Sequence, residues 1–392
     1  MRRSVSPAVL GYRGRMTDFP PTRAAGLARL AAFVPHAGRD YAEGRNFDAG
    51  PGGRQAVSLL SPYLRHRLVT EREVVAAVVA AHGLNASEKF VQEVLWRTYW
   101  KGWLMLRPSV WSRFVAGRDA APRSADVLAA EAGATGIDCF DAWARELVAT
   151  GYLHNHARMW FASIWIFTLR LPWELGADFF LRHLIDGDPA SNTLSWRWVA
   201  GLQTAGKTYL ATAENIARFT GGRFAPQGLA TVAVALTEPP LPAAGVLPAL
   251  PQRPAGRALL LVTAEDLCPE SLFAVEEFAG AVVVRAGGGG AVSRAFVAGA
   301  AEDAAARVAA AFGCPVVVQD DFAGVAAAMA AAGASHVVTA EVPTGPVAEV
   351  LAGLDVVQVR RGWDARFWPL ATKGFFPFRE KIAGGLAAEG LL

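Results

Sequence analysis

The sequence predicts an α plus α/β protein, in which an all-helical domain is followed by a small doubly wound parallel-sheet domain. Three observations lead to this prediction. Apolar residues recur at three- to four-residue spacing up to about residue 225, a segment rich in Pro, Ala and Leu follows, and short β-branched runs then alternate with alanine-rich stretches. With 392 residues, the chain is long enough for two domains.

Residues 1–225 are predicted to form the helical domain. Few Gly or Pro residues interrupt the helical periodicity, and polar segments such as NFDAGPGGRQ and DGDPASN are predicted to be loops. The clearest predicted helices are Glu71–His82, Ser87–Leu106, Phe140–Thr150 and His154–Leu171.

Residues 226–256 are predicted to be an extended linker, because their composition is typical of semi-rigid spacers. The predicted second domain covers residues 257–392. Its apolar runs ALLLVT, AVVVRA, PVVVQ, HVVTA and VVQVR mostly alternate with helical stretches, as in a parallel, doubly wound sheet. The run RAGGGGAV lacks the order of a GxGxxG motif or a P-loop and is interpreted as a flexible turn.

Composition excludes several classes of protein. The mainly apolar run Met159–Leu169 is eleven residues long and cannot span a bilayer of about 30 Å, so a buried core helix and no membrane partner are predicted. The basic N-terminus has no apolar region followed by a cleavage site, which predicts a cytoplasmic protein. Cys139, Cys268 and Cys314 are widely separated, which argues against a disulfide framework, a metal site and an iron–sulfur cluster.

Charge is divided unequally along the chain. Residues 1–225 carry a net charge of +8 and the remaining residues carry −5. A basic module suits a polyanionic partner such as nucleic acid. An ordinary arginine-rich surface would give the same count.

The segment LIDGDPASN is the sharpest local feature. Asp186 and Asp188, on either side of one glycine, can turn their oxygens toward a single bound group, and Asn192 follows as a neutral donor and acceptor. Arg158 is a candidate ion-pair partner for Asp186. A simple turn or a calcium loop are the alternatives, although the further acidic positions of an EF-hand are missing.

A second candidate site is AVSLLSPYLRHRL. Ser58 and Ser61 precede a helical run, with Pro62 at a position suited to a first turn. Two hydroxyls and the free N–H groups of a helix N-terminus could bind a pyrophosphate. An ordinary N-cap is the alternative interpretation.

Several segments together resemble a known family. RNF, SLLSPYLRHRL, FVQEVLWRTYWKGWL, GYLHNHARMWFAS and LIDGDPASNTLSWRWVAG, in this order, look like the FAD-binding helical domain of the DNA photolyase/cryptochrome family. The resemblance covers about residues 40–224. It implies a helical domain that binds FAD.

The resemblance implies a set of residues around the FAD phosphates, ribose and ring. These are Tyr41, Ser58, Ser61, Arg97, Asn155, Arg158, Asp186, Asp188 and Asn192. Asn192 matches the residue that faces flavin N5, where a neutral amide can accept the N5–H of a reduced flavin. Plant cryptochromes place Asp there, so Asn192 favours a photolyase.

The resemblance also implies contacts to a flipped-out pyrimidine dimer. The residues concerned are Glu93, Trp96, Arg97, Asn155, Met159 and Trp198. A dimer stacks poorly in its duplex and is cheap to extrude, and an indole face can then hold it near the flavin. Asn155 and Met159 resemble the cyclobutane-dimer photolyases, because (6-4) photolyases carry His at both positions.

Trp196 and Trp173 match the first two members of the family's electron-transfer chain, and they join Asn192 and Glu93 as the implied catalytic residues. The family's third tryptophan falls on Ala120. Trp111, Trp143 or Trp165 could replace it, or the chain could be shortened or rerouted. Core packing in a helical bundle is the alternative role for each tryptophan.

The sequence also departs from the family pattern. Val57 and Leu59 replace the usual Thr and Arg of the phosphate loop, and Phe90 replaces a Trp. The α/β antenna domain that should precede the helices resembles ALLLVTAEDL and WPLATKGFFPFREKI near the C-terminus, so we expect a reduced antenna-type domain that has been relocated. Whether it holds an antenna chromophore is left open, and its shortness and net charge of −5 favour loss of that function.

The function implied by the resemblance is that of a deoxyribodipyrimidine photolyase, a carbon–carbon lyase. Photoexcited FADH⁻ would donate an electron to a cyclobutane pyrimidine dimer in UV-damaged DNA, the ring would split, and the electron would return. The expected state is a monomer. The alternatives are a cryptochrome-type blue-light photoreceptor that signals to a protein partner, and a flavin-binding relative with neither activity.

Overall fold

A computed structural model of the chain describes residues 19–53, 56–273 and 277–392. The predicted fold class is confirmed, since helices make up the first part of the chain and a five-stranded parallel sheet lies in the C-terminal part. The predicted helical domain includes residues 1–18 and 54–55, which lie outside the described residues. Residues 274–276 of the predicted second domain also lie outside them.

Up to residue 220, the regular secondary structure of the described residues is helical. Its helices are α1 (Arg23–Phe33), α2 (Arg39–Gly44), α3 (Ser61–Arg65), α4 (Glu71–Met105), α5 (Pro108–Ala120), α6 (Ala125–Ala132), α7 (Asp138–Thr150), α8 (Asn155–Ser163), α9 (Trp173–His183), α10 (Pro189–Val199) and α11 (Ala213–Phe219), with a 3₁₀ turn at Val34–His36. No helix among the described residues is both long and apolar enough to cross a membrane.

Helix α4 contains two of the predicted helices. It begins with a capping box, in which the side chains of Thr70 and Glu73 bond each other's backbone N–H groups. Its two arms correspond to the predicted Glu71–His82 and Ser87–Leu106. They meet at Gly83, whose φ of 69° is accessible to glycine without a steric penalty.

Two predicted boundaries differ from the structure. The predicted helix His154–Leu171 is divided, because α8 ends at Ser163 and a π-helical turn covers Ile164–Thr168. Part of the predicted loop DGDPASN is helical, because Asp188 caps α10 and Pro189 occupies its first turn. Asp and Pro are common both in loops and at the start of helices. Composition alone therefore did not show that a helix begins at this point.

Residues 221–257 contain no helix or strand and lead into the sheet. The strands are β1 (Ala258–Val262), β2 (Phe278–Val284), β3 (Val316–Gln319), β4 (His336–Ala340) and β5 (Val356–Val359), all parallel, in the order β3-β2-β1-β4-β5. The chain crosses to the other half of the sheet after β3, which is the doubly wound pattern. Every residue of β1 is buried, as expected for a central strand covered on both faces.

The remaining helices cover the sheet or continue beyond it. They are α12 (Ala291–Phe312), α13 (Val325–Ala331), α14 (Pro346–Leu351), α15 (Gly362–Phe367), α16 (Phe375–Arg379) and α17 (Ile382–Ala388), with 3₁₀ turns at Pro269–Ser271 and Trp368–Leu370.

The segment after β5 packs directly on α4. A Cβ at Gly102 would lie 2.7 Å from Cα of Trp368, so only glycine allows this approach. Trp363 Nε1 donates a hydrogen bond to Thr98 Oγ1 (3.1 Å). Buried side chains from both parts form one continuous hydrophobic cluster. The end of the chain therefore contributes to the same core as the helix that carries Trp96 and Arg97.

Candidate functional site

The DGD loop lies between α9 and α10 and carries two buried carboxylates. Asp186 and Asp188 expose only 4% and 2% of their surfaces. Asp188 accepts a hydrogen bond from Ser191 N (2.8 Å) as the N-cap of α10. Asp186 pairs with the guanidinium of Arg158 on α8, with two N–O distances of 3.0 Å. Two different helices therefore fix the two carboxylates.

Three further cations surround this loop. Arg97 lies 3.8 Å from both Asp186 and Asp188, Lys101 Nζ lies 3.6 Å from Asp188, and Arg65 Nε lies 3.9 Å from Asp188. Burial alone would raise the pKa of Asp188, but Lys101, Arg65 and Arg97 hold it below its usual value. Asp188 is therefore ionised at neutral pH.

Two of these cations have nitrogen atoms with no hydrogen-bond partner among the described residues. They are Arg97 Nη1 and Lys101 Nζ, and both are buried. A buried donor without an acceptor costs about 1–3 kcal/mol, and more when it is charged. The cluster therefore fits a ligand that brings acceptor oxygens, as a flavin dinucleotide does. Lys101 was missed in the sequence, although it follows Arg97 by four residues on the same helix face.

Ser58 and Ser61 flank a sharp turn before α3. Leu59 between them has a φ of 54°, in the left-handed region, and Ser58 Oγ accepts a hydrogen bond from the backbone N–H two residues later (3.3 Å). Burial alone would raise the pKa of Asp186, but Arg158 and the Ser61 hydroxyl are among the groups that hold this pKa below its usual value. Ser61 thus contacts Asp186 of the DGD loop, while Ser58 stabilises the turn.

Asn192 lies on the first turns of α10, four residues after Asp188. Its Nδ2 donates to the carbonyl oxygen of Ala177 (2.8 Å), which orients the amide and leaves Oδ1 as its acceptor. Trp196 follows after another four residues, so these three side chains lie on one side of α10.

An aromatic cleft of about 430 Å³ lies beside α4 and contains Trp96 and Trp198, two of the predicted substrate contacts. Trp198 is partly exposed and stacks on Tyr209, with ring centroids 5.6 Å apart. Trp96 stacks on Phe375 of α16, with centroids 3.5 Å apart and an angle of 12° between the rings. One face of Trp96 is therefore covered by the C-terminal segment, a contact that no local pattern in the sequence indicated.

The remaining predicted substrate and cofactor residues are Tyr41, Glu93, Asn155 and Met159. Glu93 forms an ion pair with Arg45, and Arg45 also bonds the Tyr41 hydroxyl. Asn155 is exposed at the start of α8, and Met159 is half-buried one turn later. Tyr41 and Glu93 are thus linked through an arginine that the sequence analysis did not single out.

The two predicted electron-transfer tryptophans lie on neighbouring helices. Trp173 begins α9, and the ring of Trp196 on α10 packs so closely on Gly176 of α9 that a Cβ there would overlap it. The fully buried Trp165 meets Trp196 edge to face, with centroids 6.2 Å apart.

The other candidates for the outer end of the electron path are less directly connected. Trp111 is separated from Trp173 by Phe114, with successive centroid distances of 5.2 and 5.7 Å. Trp143 stacks on Trp160 instead (5.5 Å). Trp173 itself lines a cleft of about 900 Å³ between the π-helical turn and residues 229–238.

Comparisons with known proteins point to one family. Residues 90–227 match the FAD binding domain of DNA photolyase. The chain is 39% identical over 167 residues to a deoxyribodipyrimidine photo-lyase of Streptomyces griseus, covering 42% of this chain and 36% of that protein. It is 35% identical over 217 residues to that of Thermus thermophilus, covering 53% and 49%.

Among solved structures, a bacterial class III photolyase from Agrobacterium tumefaciens matches 51% of this chain and 43% of its own, with 31% identity and a TM-score of 0.42. The chain spans less than half the length of the two curated relatives. The family match covers the helices that carry the DGD loop, Arg97 and Trp196. The helical part of the chain is therefore similar to the FAD binding domain of DNA photolyase.

Proposed function

We propose that this protein is a light-driven DNA repair flavoprotein that splits cyclobutane pyrimidine dimers in UV-damaged DNA. One observation carries the proposal. Trp96 and Arg97 are adjacent on α4. Trp96 lines the aromatic cleft, and Arg97 lies beside the two carboxylates of the DGD loop. A lesion in the cleft would therefore lie within one helical turn of a ligand bound beside the DGD loop.

The chain's own residues would hold the cofactor. Arg97 and Lys101 have free donors for its oxygens, and the Ser61 hydroxyl lies among the same groups. Asn192 Oδ1 would accept the N–H of a reduced flavin, since Nδ2 is already engaged by Ala177. When bound in its reduced form, FAD would supply an electron to the cyclobutane ring after absorption of blue light and would take the electron back once the ring has split.

The proposal also assigns roles on the DNA side. Trp198 is partly exposed at the cleft, where its ring can stack on an extruded base. The exposed Asn155 and the half-buried Met159 would contact the same lesion. The basic balance of residues 1–225 supports binding to a phosphate backbone.

The direct experiment uses the full chain loaded with FAD and reduced. Oligothymidylate containing UV-induced dimers is incubated with the protein under blue light or in the dark, and intact thymines are quantified. We expect repair in the light only. Dimers that persist under illumination, in a protein that has bound and retained FAD, would refute repair.

Replacing Phe375 with Ala should tighten binding of dimer-containing oligonucleotide. Phe375 occupies a face of Trp96 on which a base could otherwise stack, and one base–aromatic stack contributes about 1–3 kcal/mol. A gain of at least about fivefold in affinity corresponds to the lower value. Fluorescence anisotropy of a labelled oligonucleotide in the dark measures it.

Phe312 on α12 provides the control, because it also packs on another aromatic ring, with its centroid 4.9 Å from that of Phe278, but does not line the cleft. Phe312→Ala should leave the affinity unchanged. Phe375 also contacts Tyr99 and Phe378, so the thermal stability of each variant is compared first. Weaker binding by Phe375→Ala would instead make Phe375 part of the stacking surface.

A further inference from the structure

The C-terminal part of the chain reaches the DGD loop through one buried ion pair. Arg65, in the last position of α3, donates two hydrogen bonds to Glu265, both 2.6 Å long. Its Nε donates a third to the carbonyl oxygen of Gly187, the central residue of the DGD loop (2.8 Å). Arg65 therefore connects the segment after β1 to the loop that carries both carboxylates.

Contacts on either side reinforce this connection. The ring nitrogens of His66 lie 2.7 Å from the carbonyl oxygen of Ala264 and 3.1 Å from that of Ile185. Leu267 N donates to the carbonyl oxygen of His66 (2.9 Å). Residues 264–267 thus hold both the end of α3 and the residue that precedes the DGD loop.

The geometry also determines which carboxylate Arg65 neutralises. Its guanidinium engages Glu265 at 2.6 Å but approaches Asp188 only to 3.9 Å. Asp188 consequently faces Lys101 and Arg97, the two cations with unpartnered nitrogen atoms. Without the charge of Glu265, Arg65 would be drawn to Asp188 and would compete with these cations for it.

We propose that Glu265 is a positioning residue for the flavin site and that the C-terminal α/β part is an integral component of that site. Glu265 keeps Arg65 on the carbonyl oxygen of Gly187 and away from Asp188, so that the DGD loop and the cations around it are arranged to receive the dinucleotide. This inference rests on the proposed function, since the ligand concerned is FAD.

The test compares two isosteric substitutions. Glu265→Gln removes the charge of the pair with Arg65 and keeps its shape. Glu341→Gln does the same to the pair in which Arg360 donates two hydrogen bonds to Glu341. Like Glu265, Glu341 follows a parallel strand, but that strand is β4 rather than β1. Glu265 and Glu341 are equally buried, at 5% and 4% exposure. The side chain of Arg360 is more exposed than that of Arg65, at 17% against 7%, so the free energy of unfolding of each variant is measured beside its flavin binding.

Only Glu265→Gln is expected to change the affinity for FAD and the midpoint potential of the bound flavin. FAD is added to the apoprotein, and the dissociation constant is measured from quenching of flavin fluorescence. We expect it to rise about tenfold, which is the lower end of the loss seen when an outer-shell partner of a metal ligand is removed. The midpoint potential of the bound flavin should become more positive, because a negative charge nearby is lost.

The outcomes separate this inference from the proposed function. An apoprotein with native sequence that binds no FAD overturns both. FAD affinity and midpoint potential that are the same in Glu265→Gln, Glu341→Gln and the native sequence overturn the positioning role alone. Equal changes in both variants also overturn it, because they would report general loss of stability.

Discussion

Replacing Asp188 with Asn is expected to lower the free energy of unfolding by about 3–5 kcal/mol, because it leaves buried cations without their counterion. Lys101 and Arg65 are almost completely buried beside Asp188, and Arg97 lies 3.8 Å away. Asn still accepts the hydrogen bond from Ser191 N, so the helix cap is retained. Urea unfolding of the apoprotein at neutral pH measures the loss.

Asp178→Asn is the matched control for this prediction. Asp178 also has three arginine partners, but Arg118, Arg123 and Arg182 expose 28%, 47% and 32% of their side chains. Pairs that are open to solvent contribute about 1 kcal/mol or less, so the control should lose little. Equal losses in the two variants would contradict the interpretation that burial makes the Asp188 cluster costly to disrupt.

The same prediction has a pH dependence with a definite sign. The pKa of Asp188 is lower in the folded protein than in an unfolded chain, where it is about 3.9. Its stabilising contribution is therefore fully present above that value and is lost as the pH falls below it. The free energies of unfolding of the native sequence and of Asp188→Asn should accordingly converge in acid, when both are measured by urea unfolding.

Local patterns in the sequence predicted much of the fold and part of the charge cluster. The helical periodicity located α4 and α7, and the β-branched runs located the strands, because each signal arises within a few residues. Asp186 and Asp188 were found for the same reason. Gly83 joins two predicted helices into one kinked element, since helix ends are determined by backbone hydrogen bonds that composition does not report.

The residues that sequence analysis missed are those whose role comes from distant parts of the chain. Glu265 follows an ordinary buried strand, and its role appears only when β1 is placed beside α3. Phe375 reaches Trp96 because α16 packs on α4. Lys101 is different, because its spacing from Arg97 was visible. Contacts across the chain depend on tertiary packing, and no local pattern encodes them.

These contacts also change what the C-terminal α/β part is expected to do. An antenna domain would need only to hold a chromophore near the flavin. Here the segment after β1 holds the DGD loop, and the segment after β5 covers Trp96. Both sides of the candidate site therefore depend on residues beyond 257, and we propose that this part serves the site structurally whether or not it binds a pigment.

Replacing Trp196 with Phe is expected to remove most of the light-driven reduction of bound FAD. Phe preserves an aromatic ring against Gly176 but is much harder to oxidise than indole. Trp196 lies one turn beyond Asn192 on α10, so it is the tryptophan next to the proposed flavin ring position. Loss of the oxidised flavin absorption band under blue light, with an external thiol as reductant, measures the rate.

Trp143→Phe is the control, because Trp143 is also completely buried but stacks on Trp160 rather than on Trp196. FAD bound to Trp143→Phe should be photoreduced at the same rate as in the native sequence. Equal rates in Trp196→Phe and Trp143→Phe would exclude Trp196 from the electron path.

The outer end of that path can be assigned by the same measurement. Trp165 touches Trp196 but is fully buried, whereas Trp173, which is itself only 4% exposed, lines the cleft beside residues 229–238. The last donor must exchange an electron with a reductant in solution, and a residue at a cleft can do so more readily than one in the core. We therefore expect Trp173→Phe to slow photoreduction strongly and Trp165→Phe to slow it little. The reverse order would place the route through Trp165 and would leave Trp173 a packing residue.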